Sequence, residues 1–194
     1  PIGLLGMHAV EFEQACMDAA HVVRTTGGRR PEIRRALASA YGNAYRPVEV
    51  VVVYQGNDVD ELDFLQSLAV VEDGWSIRIV QNAALGDRRA ENLNIGWVQG
   101  RGRYLGFLDD DDTLTEGHFR NLINALESSG HAWAYGQTAL RREDENLVGL
   151  GDTRPFMRSQ FSVVDLWHEN FIPIHAFLID RQRLVSELAE RPFC

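Results

Sequence analysis

The strongest chemical signal in the sequence is a run of four aspartates, Asp109–Asp112, directly after the apolar segment Tyr104–Leu108. Residues two apart on an extended chain point the same way, so Asp109 and Asp111 can direct two carboxylates at one cation while Asp110 points elsewhere. Carboxylate oxygens select hard cations such as Mg²⁺ or Mn²⁺, which often hold substrate phosphates as well. The run predicts a site for a divalent cation and a diphosphate, and a solvated acidic turn that caps the next helix is the alternative.

Three other chemistries use aspartates in comparable patterns. An EF-hand loop that began at Asp109 would need glycine and glutamate where the chain has Leu114 and Arg120, so that site is excluded. A glycosidase needs two carboxylates on opposite sides of the sugar, which neighbours on one strand cannot easily supply. The run from Asp109 to Thr113 also resembles the first motif of haloacid dehalogenase-like phosphatases, although those enzymes carry it on their first strand and have a downstream lysine. A phosphatase therefore stays as a second hypothesis.

Composition excludes several classes of protein. The 194 residues include 19 basic side chains, all of them arginine, against 28 acidic ones, so the net charge is −9. Without lysine there is no Schiff-base chemistry, no pyridoxal-phosphate anchor and no Walker A loop. The acidic balance argues against a nucleic-acid partner, and an anionic ligand would need arginines, helix N-termini or a cation. No apolar run is long enough for a transmembrane segment, so we expect a cytoplasmic protein, with peripheral attachment at the inner membrane face left open.

The elements that must position these side chains alternate along the chain. The β-branched run Val48–Tyr54 is typical of a strand buried on both faces, as in a parallel sheet between helices. Alternating strands and helices predict an α/β fold, a doubly wound, mostly parallel sheet with helices on both faces. The predicted strands are 20–25, 48–54, 76–80, 104–108, 132–141 and 172–179. The predicted helices are 7–18, 31–39, 61–69, 88–99, 115–128, 161–169 and 181–190.

In order and spacing, these pieces resemble a family 2 glycosyltransferase with a GT-A fold. The resemblance runs from about Ala20 to Leu184 and rests on the loop after the first strand, Thr25–Arg29, and on Arg89–Asp112. The latter range contains Asn-x-Gly, Gly-x-Tyr and Phe-Leu-Asp-x-Asp-Asp. The resemblance implies inverting, metal-assisted transfer from a nucleoside-diphosphate sugar, with a UDP-sugar as the default. Its cofactor would be Mg²⁺ or Mn²⁺, and the acceptor could be a saccharide, a lipid-linked molecule or a protein.

The resemblance also implies roles for individual residues. Asp109 and Asp111 would form the DXD-type metal site, and His175 is a weaker candidate for it. The candidates for nucleotide-sugar binding are Thr25, Thr26, Gly27, Arg29, Gln55, Asn57, Arg89, Asn94 and Asp110. Members of the family often have two aspartates after the second strand, where this chain has Tyr54 and Gln55. A glutamine amide can donate to or accept from a base and a tyrosine can stack on it, so the identity of the base stays open.

We expect one half of the chain to bind the sugar donor and the other half to bind the acceptor. We expect an N-terminal helical segment at 1–19, a nucleotide-sugar-binding half at 20–118 and an acceptor-side half at 119–194. The general base of the family usually lies beyond the strand here matched by Phe171–Leu178, so a truncation before it is one interpretation. Glu169 and Asp180 are the weak candidates within the chain. A non-catalytic nucleotide-sugar-binding module is the third hypothesis.

Overall fold

The computed structural model describes residues 17–151, 153–155, 161–184 and 193. The strands are β1 (Ala19–Thr25), β2 (Val48–Gln55), β3 (Val70–Glu72), β4 (Trp75–Asn82), β5 (Tyr104–Asp109), β6 (Trp133–Tyr135), β7 (Ala139–Leu140), β8 (Arg154–Pro155) and β9 (Phe177–Asp180). The helices are α1 (Arg30–Gly42), α2 (Val59–Gln66), α3 (Arg89–Gln99), α4 (His118–Ser129) and α5 (Val163–His168). None of the helices in these ranges is long and apolar enough to cross a membrane.

Seven strands form one sheet in the order β3-β4-β2-β1-β5-β9-β6. The four central strands, β4, β2, β1 and β5, are parallel, and the strands at both edges pair antiparallel. A separate two-stranded ribbon joins β7 to β8. The predicted α/β class with a mostly parallel sheet is therefore confirmed, and the second half of the chain contributes β9 and β6 to the same sheet.

Helices cover both faces of the sheet, as the sequence predicts. One core lies between the sheet and helices α1, α2 and α4, and the other lies against α3. Gly96 of α3 packs so closely on β1 that a Cβ atom there would lie 2.1 Å from Val22 Cγ1. The glycine of the Asn-x-Gly motif therefore serves close packing between helix and strand.

Several predicted elements differ from the observed ones in the second half of the chain. The predicted strand 132–141 is two short strands, β6 and β7, separated by residues 136–138. The predicted strand 172–179 begins instead as a 3₁₀ turn at Ile174–Ala176 and becomes β9 only at Phe177. Apolar runs do not distinguish a buried turn from a strand, and here the run packs partly as a small cluster around Phe171 and Ile172.

Two further predictions concern the ends of the chain. Of the helix predicted for 181–190, residues 181–183 form a 3₁₀ turn and 185–190 lie outside the described residues. Of the helix predicted for 7–18, only the last two residues are described, and they are not helical. The antiparallel strand β3, which pairs with β4 at one edge, has no counterpart among the predicted elements.

The chain changes direction across the sheet between β1 and β5. From β1 it proceeds to β2 and β4 on one side, and it then returns to place β5 on the other side of β1. Open α/β sheets bind ligands at the carboxyl ends of the strands on either side of such a switch point. Thr25 ends β1 and Asp109 ends β5, so the fold brings the loop after Thr25 beside the aspartate run.

Candidate functional site

The buried centre of the site is a hydrogen bond between the loops that follow β1 and β5. Thr25 Oγ1 donates to Asp110 Oδ2 over 2.5 Å, and both side chains are buried. Burial raises the pKa of Asp110 from its ordinary value, opposed by the hydrogen bond from Thr25 and the charge of Arg29. Asp110 therefore joins the two loops, and its neighbours in sequence carry the more exposed carboxylates.

Two arginines, one on β1 and one in the loop after it, neutralise Asp109 and Asp111. Arg24 Nη2 lies 2.6 Å from Asp109 Oδ1, and Arg29 Nη1 lies 2.6 Å from Asp111 Oδ2 and 3.3 Å from Asp110 Oδ1. The carboxylate of Asp111, followed by that of Asp110, raises the pKa of Arg29. In a chain without lysine, guanidinium groups such as these are the side chains that could neutralise a diphosphate at the predicted site.

The loop from Thr25 to Arg30 is held by Glu61 of α2. Gly27 N donates to Thr25 Oγ1 over 3.0 Å, and its φ of 81° is one that glycine adopts readily. Glu61 accepts from Gly28 N at 3.2 Å and pairs with Arg30 Nε at 2.8 Å. The loop after β1 is thus shaped by a buried carboxylate on a neighbouring helix.

The other predicted nucleotide-binding residues lie at the same edge of the sheet, with one exception. Thr26 and Asn57 are exposed, and Asn57 Nδ2 donates to Ala83 O at 3.3 Å. Arg89 is exposed, pairs with Asp87 at 2.6 Å, and has its pKa raised mainly by that partner and slightly by Asp109. The exception is Asn94, whose hydrogen-bond partner is Phe193.

Asn94 is tied to the C-terminal segment. Its amide donates to Phe193 O at 2.8 Å and accepts from Phe193 N at 3.2 Å, which favours a structural role. The expectation that Tyr54 could stack on a base is wrong, because its ring is buried beneath Gly27 and Gly56. Gln55, beside it, is half-buried and hydrogen-bonded to Asn92 and to the loop before α3.

His175 lies at the aspartate run. Its Nδ1 is 2.8 Å from Asp112 Oδ2, and it sits in the 3₁₀ turn before β9 rather than in the middle of a strand, as the sequence suggested. A pocket of about 330 Å³ opens beside this pair. Its polar lining includes Arg35, Asp111, His118, Thr138, Glu143 and His175. The pair Arg35–Glu143, 2.6 Å apart, ties α1 to the segment after β7 across this pocket.

The two weak candidates for a general base lie in different surroundings. Asp180 is buried at the end of β9, where it pairs with Tyr104 at the amino end of β5. Asp109 lies at the carboxyl end of β5, so the two carboxylates are at opposite ends of that strand. Asp180 accepts hydrogen bonds from Arg103, which argues against a catalytic role. Glu169 is exposed directly after α5. The structure thus brings His175, but not Asp180, to the predicted site.

Sequence reasoning missed several residues that shape the site. Arg24 pairs with Asp109, and Glu61 accepts a hydrogen bond from Gly28 in the loop after β1. Asn92 donates to Gln55 and accepts from Asn82. Only Glu61 had a local signal, because Asp58-x-x-Glu61 resembles a capping box and Asp58 does cap α2. The others pair across long stretches of sequence and leave no local pattern.

The donor chemistry of the cluster fits a hard cation. Asp109 and Asp111 supply carboxylate oxygens that are partly open to solvent. Among the described residues, no group of three or more His, Cys, Asp or Glu side chains is already arranged to hold a metal. In this structure each of the two carboxylates pairs with an arginine, Asp109 with Arg24 and Asp111 with Arg29.

Two buried histidines lie beneath the site. His21 of β1 is fully buried, with its ring 4.7 Å from Phe119 and 6.0 Å from His118. Burial, with a smaller contribution from nearby His175, lowers the pKa of His118 from 6.5 to about 4. Burial and the nearby His118 lower the pKa of His21 well below its ordinary value. Both groups are therefore neutral in the folded state at neutral pH.

We expect the free energy of unfolding to fall by about 2 kcal/mol from His118 alone between about pH 7 and about pH 5. Within that window the unfolded histidine binds a proton and the native one does not, so stability is lost as the pH falls. Urea denaturation at both pH values measures the loss. The His118→Asn variant should lose correspondingly less stability between them, and an unchanged difference would contradict the assignment.

The sheet order and the Asp-x-Asp run at the end of β5 define the class of protein. A mostly parallel sheet of this kind is the architecture of GT-A type glycosyltransferases, and the solved structures that the chain resembles are of that type. The chain belongs to glycosyl transferase family 2, whose model matches residues 22–186. The predicted family and fold are thereby confirmed.

Individual relatives are distant and longer. The chain is 26% identical over 177 residues to a Campylobacter jejuni GalNAc(5)-diNAcBac-PP-undecaprenol beta-1,3-glucosyltransferase, covering 88% of this chain and 56% of the relative. The mannosyltransferase PcManGT from Pyrobaculum calidifontis, solved with GDP-Man and Mn²⁺, aligns with a TM-score of 0.59 and 14% identity over 87% of this chain and 46% of that one. S. aureus TarS with UDP-GlcNAc aligns with a TM-score of 0.51 and 17% identity over 60% and 33%. The chain thus spans about half the length of the curated relative.

Proposed function

We propose that this chain is the nucleotide-sugar-binding part of a metal-assisted, inverting glycosyltransferase. The observation that carries the proposal is the position of Asp109 and Asp111 at the switch point of a family 2 fold, beside Thr25 and two arginines. The donor would be a uridine or guanosine diphosphate sugar, by analogy with the neighbours solved with UDP-GlcNAc and GDP-Man. No comparison supports the phosphatase alternative.

Each part of the site has a task in this proposal. Asp109 and Asp111 would hold Mg²⁺ or Mn²⁺, which acts as a Lewis acid on the leaving diphosphate. Arg24 and Arg29, released from the aspartates, would pair with phosphate oxygens, since guanidinium groups bind phosphate in a fork. Asp110, hydrogen-bonded to Thr25, would hold the loops after β1 and β5 together.

The acceptor would enter through the pocket beside Asp112 and His175. This pocket lies between the aspartate run and the second half of the chain, where the acceptor side is expected. The Campylobacter jejuni relative is named for a lipid-linked substrate, so we propose a lipid-linked saccharide acceptor and peripheral association with a membrane. The general base would be an acidic residue outside the aspartate run Asp109–Asp112. Glu169 is the candidate in this chain.

Isothermal titration of UDP and GDP, with and without Mn²⁺, tests the proposed function. We expect at least one nucleotide to bind, and to bind more tightly with the metal, because the cation joins the aspartates to the diphosphate. Failure of both nucleotides to bind in the presence of Mn²⁺ would overturn the proposal. Hydrolysis of p-nitrophenyl phosphate that depends on Asp109 would favour the phosphatase instead.

A further inference from the structure

Arg35 of α1 contacts both the aspartate run and the second half of the chain. Its Nη2 donates to the backbone carbonyl of Asp111 over 3.1 Å, and its Nη1 donates to Glu143 Oε2 over 2.6 Å. The buried Nε has no hydrogen-bond partner among the residues that the structure describes. The two Nη contacts are therefore the hydrogen bonds that orient this guanidinium group.

Helix α1 supports the backbone of the aspartate run at two points. Arg35 and Ser39 are four residues apart on this helix, so their side chains lie on the same side of it. Ser39 Oγ accepts a hydrogen bond from Leu114 N over 3.0 Å, while Arg35 donates to the carbonyl of Asp111. The backbone that carries Asp111 is thus held by side chains of the first half of the chain.

Glu143 belongs to a small hairpin, residues 142–150, in the second half of the chain. Glu143 forms an antiparallel bridge with Gly149, and Arg142 O accepts from Leu150 N over 2.7 Å. Within the described part of the chain, the ion pair with Arg35 is the only hydrogen-bonded link from residues 139–151 to the first half. This pair is therefore the point at which the 142–150 hairpin can influence the aspartates.

Two arginines hold the Glu143 carboxylate, one at each oxygen. Arg141 Nε donates to Glu143 Oε1 over 2.9 Å, and Arg35 occupies Oε2. The Glu143 side chain is only 19% exposed. Hydrogen bonds from Arg35 and then from Arg141 lower the pKa of Glu143 below its ordinary value. The carboxylate is therefore charged at neutral pH and is a fixed partner for Arg35.

The side chain of Asp111 is a competing partner for Arg35. Its carboxylate is about half exposed and belongs to the same residue whose carbonyl Arg35 contacts. A hydrogen bond between two charged groups is roughly twice as strong as a neutral one. If Arg35 lost its carboxylate partner Glu143, it would gain by turning from the carbonyl of Asp111 to the carboxylate. That turn would withdraw the Asp111 carboxylate from a cation.

We propose that Glu143 and Arg35 are positioning residues for the metal-binding aspartates. Glu143 holds the Arg35 guanidinium on the carbonyl of Asp111 and away from its carboxylate, so that this carboxylate stays available to Mg²⁺ or Mn²⁺. The inference rests on the proposed function and adds to it a residue of the acceptor-side half. Neither Glu143 nor Arg35 is proposed as a ligand of the metal.

Isothermal titration of UDP and GDP, with and without Mn²⁺, tests the inference on variants of this chain. The measured quantity is the metal factor, which is the ratio of the dissociation constants without and with Mn²⁺. Glu143→Gln should lower the metal factor by about tenfold, because loss of a residue that orients a metal ligand commonly costs about 10- to 100-fold in metal affinity. Binding without Mn²⁺ should stay within about threefold of the wild-type value.

A double variant shows whether the two residues act together. Arg35→Met removes the contact with the carbonyl of Asp111 and should also lower the metal factor. The double variant of Arg35→Met and Glu143→Gln should be no worse than Arg35→Met alone, because Glu143 acts only through Arg35. Independent, multiplying losses would contradict this mechanism. Glu143→Gln alone still tests the inference if Arg35→Met does not fold.

Matched variants separate positioning from structural support. Glu145→Gln removes the same charge from an exposed position in the same hairpin and should leave the metal factor unchanged. Glu143→Asp keeps the carboxylate and should retain a larger metal factor than Glu143→Gln. A purely structural role would weaken nucleotide binding alike with and without Mn²⁺, so the metal factor would not change.

The outcomes distinguish this inference from the proposed function. If the wild type binds nucleotide more tightly with Mn²⁺, and both Glu143→Gln and Arg35→Met keep the wild-type metal factor, the inference is overturned and the proposed function stands. If the wild type binds neither UDP nor GDP in the presence of Mn²⁺, the proposed function is overturned and this inference with it. Wild-type binding that is independent of Mn²⁺ would overturn the role of the metal and therefore also this inference.

Discussion

Replacement of Asp111 by asparagine is expected to weaken Mn²⁺-dependent binding of UDP and GDP by about 100-fold or more. An amide lacks the negative charge that attracts a hard cation. Of the two aspartates proposed to hold the metal, Asp111 is more exposed than Asp109. The fold should be unaffected, because the side chain is about half exposed (49%) and pairs with Arg29, which is also exposed. We expect the unfolding temperature to stay within about 2 °C of that of the wild type.

Isothermal titration with and without Mn²⁺ measures this effect, and a thermal melt reports on the fold. Asp73→Asn is the matched control, since it removes the same charge from an exposed turn before β4, at the opposite edge of the sheet. The control should bind nucleotide as the wild type does. If Asp111→Asn retained metal-dependent binding, Asp111 would not be a metal ligand.

Replacement of Asp180 by alanine is expected to cost about 3 to 5 kcal/mol of stability. The carboxylate is fully buried and receives a two-pronged contact from Arg103, at 2.6 and 3.1 Å, together with Arg183 Nε at 3.2 Å and Gln182 N at 3.0 Å. Burial alone would raise the pKa of Asp180, but its hydrogen bonds with Arg103 and Gln182 outweigh that effect and lower it. Alanine would leave the two arginines without their buried counter-charge.

Urea denaturation at neutral pH measures the loss of stability. Glu127 contacts the same arginines from an exposed position, so Glu127→Gln should cost much less stability than Asp180→Ala and serves as the control. The Asp180→Ala variant, where folded, should bind UDP or GDP with wild-type affinity, because Asp180 is at the far edge of the sheet. Equal losses from both variants would contradict the assignment of Asp180 as the centre of this network.

The most regular elements were predictable because their signals are local. The valine run of β2 marks a strand buried on both faces, and the observed strand differs from the predicted one only by Gln55. The parallel centre of the sheet follows from alternating strands and helices, because parallel strands need crossovers. Antiparallel edge strands such as β6 and β9 are short and half-buried, so their periodicity is too weak to define their bounds.

The position of the candidate site was also largely contained in the sequence. An aspartate run directly after an apolar strand must lie at the carboxyl end of that strand, whatever the rest of the chain does. The tertiary structure decided which partners those aspartates have. Arg24 meets Asp109, and Thr25 meets Asp110, across 85 positions of sequence.

The same distinction applies to the candidates that the structure separated. Asp180 and His175 are five residues apart and were both candidates from residue type, yet one lies in an ion-pair network at the amino end of β5 and the other contacts the aspartates at its carboxyl end. The sequence by itself determined the class of fold and the family, and it predicted the end of the parallel strands at which we propose that ligands bind. The tertiary structure decided the partners of each carboxylate and the orientation of Gln55, because these depend on strand order and on contacts between distant segments, which no local pattern encodes.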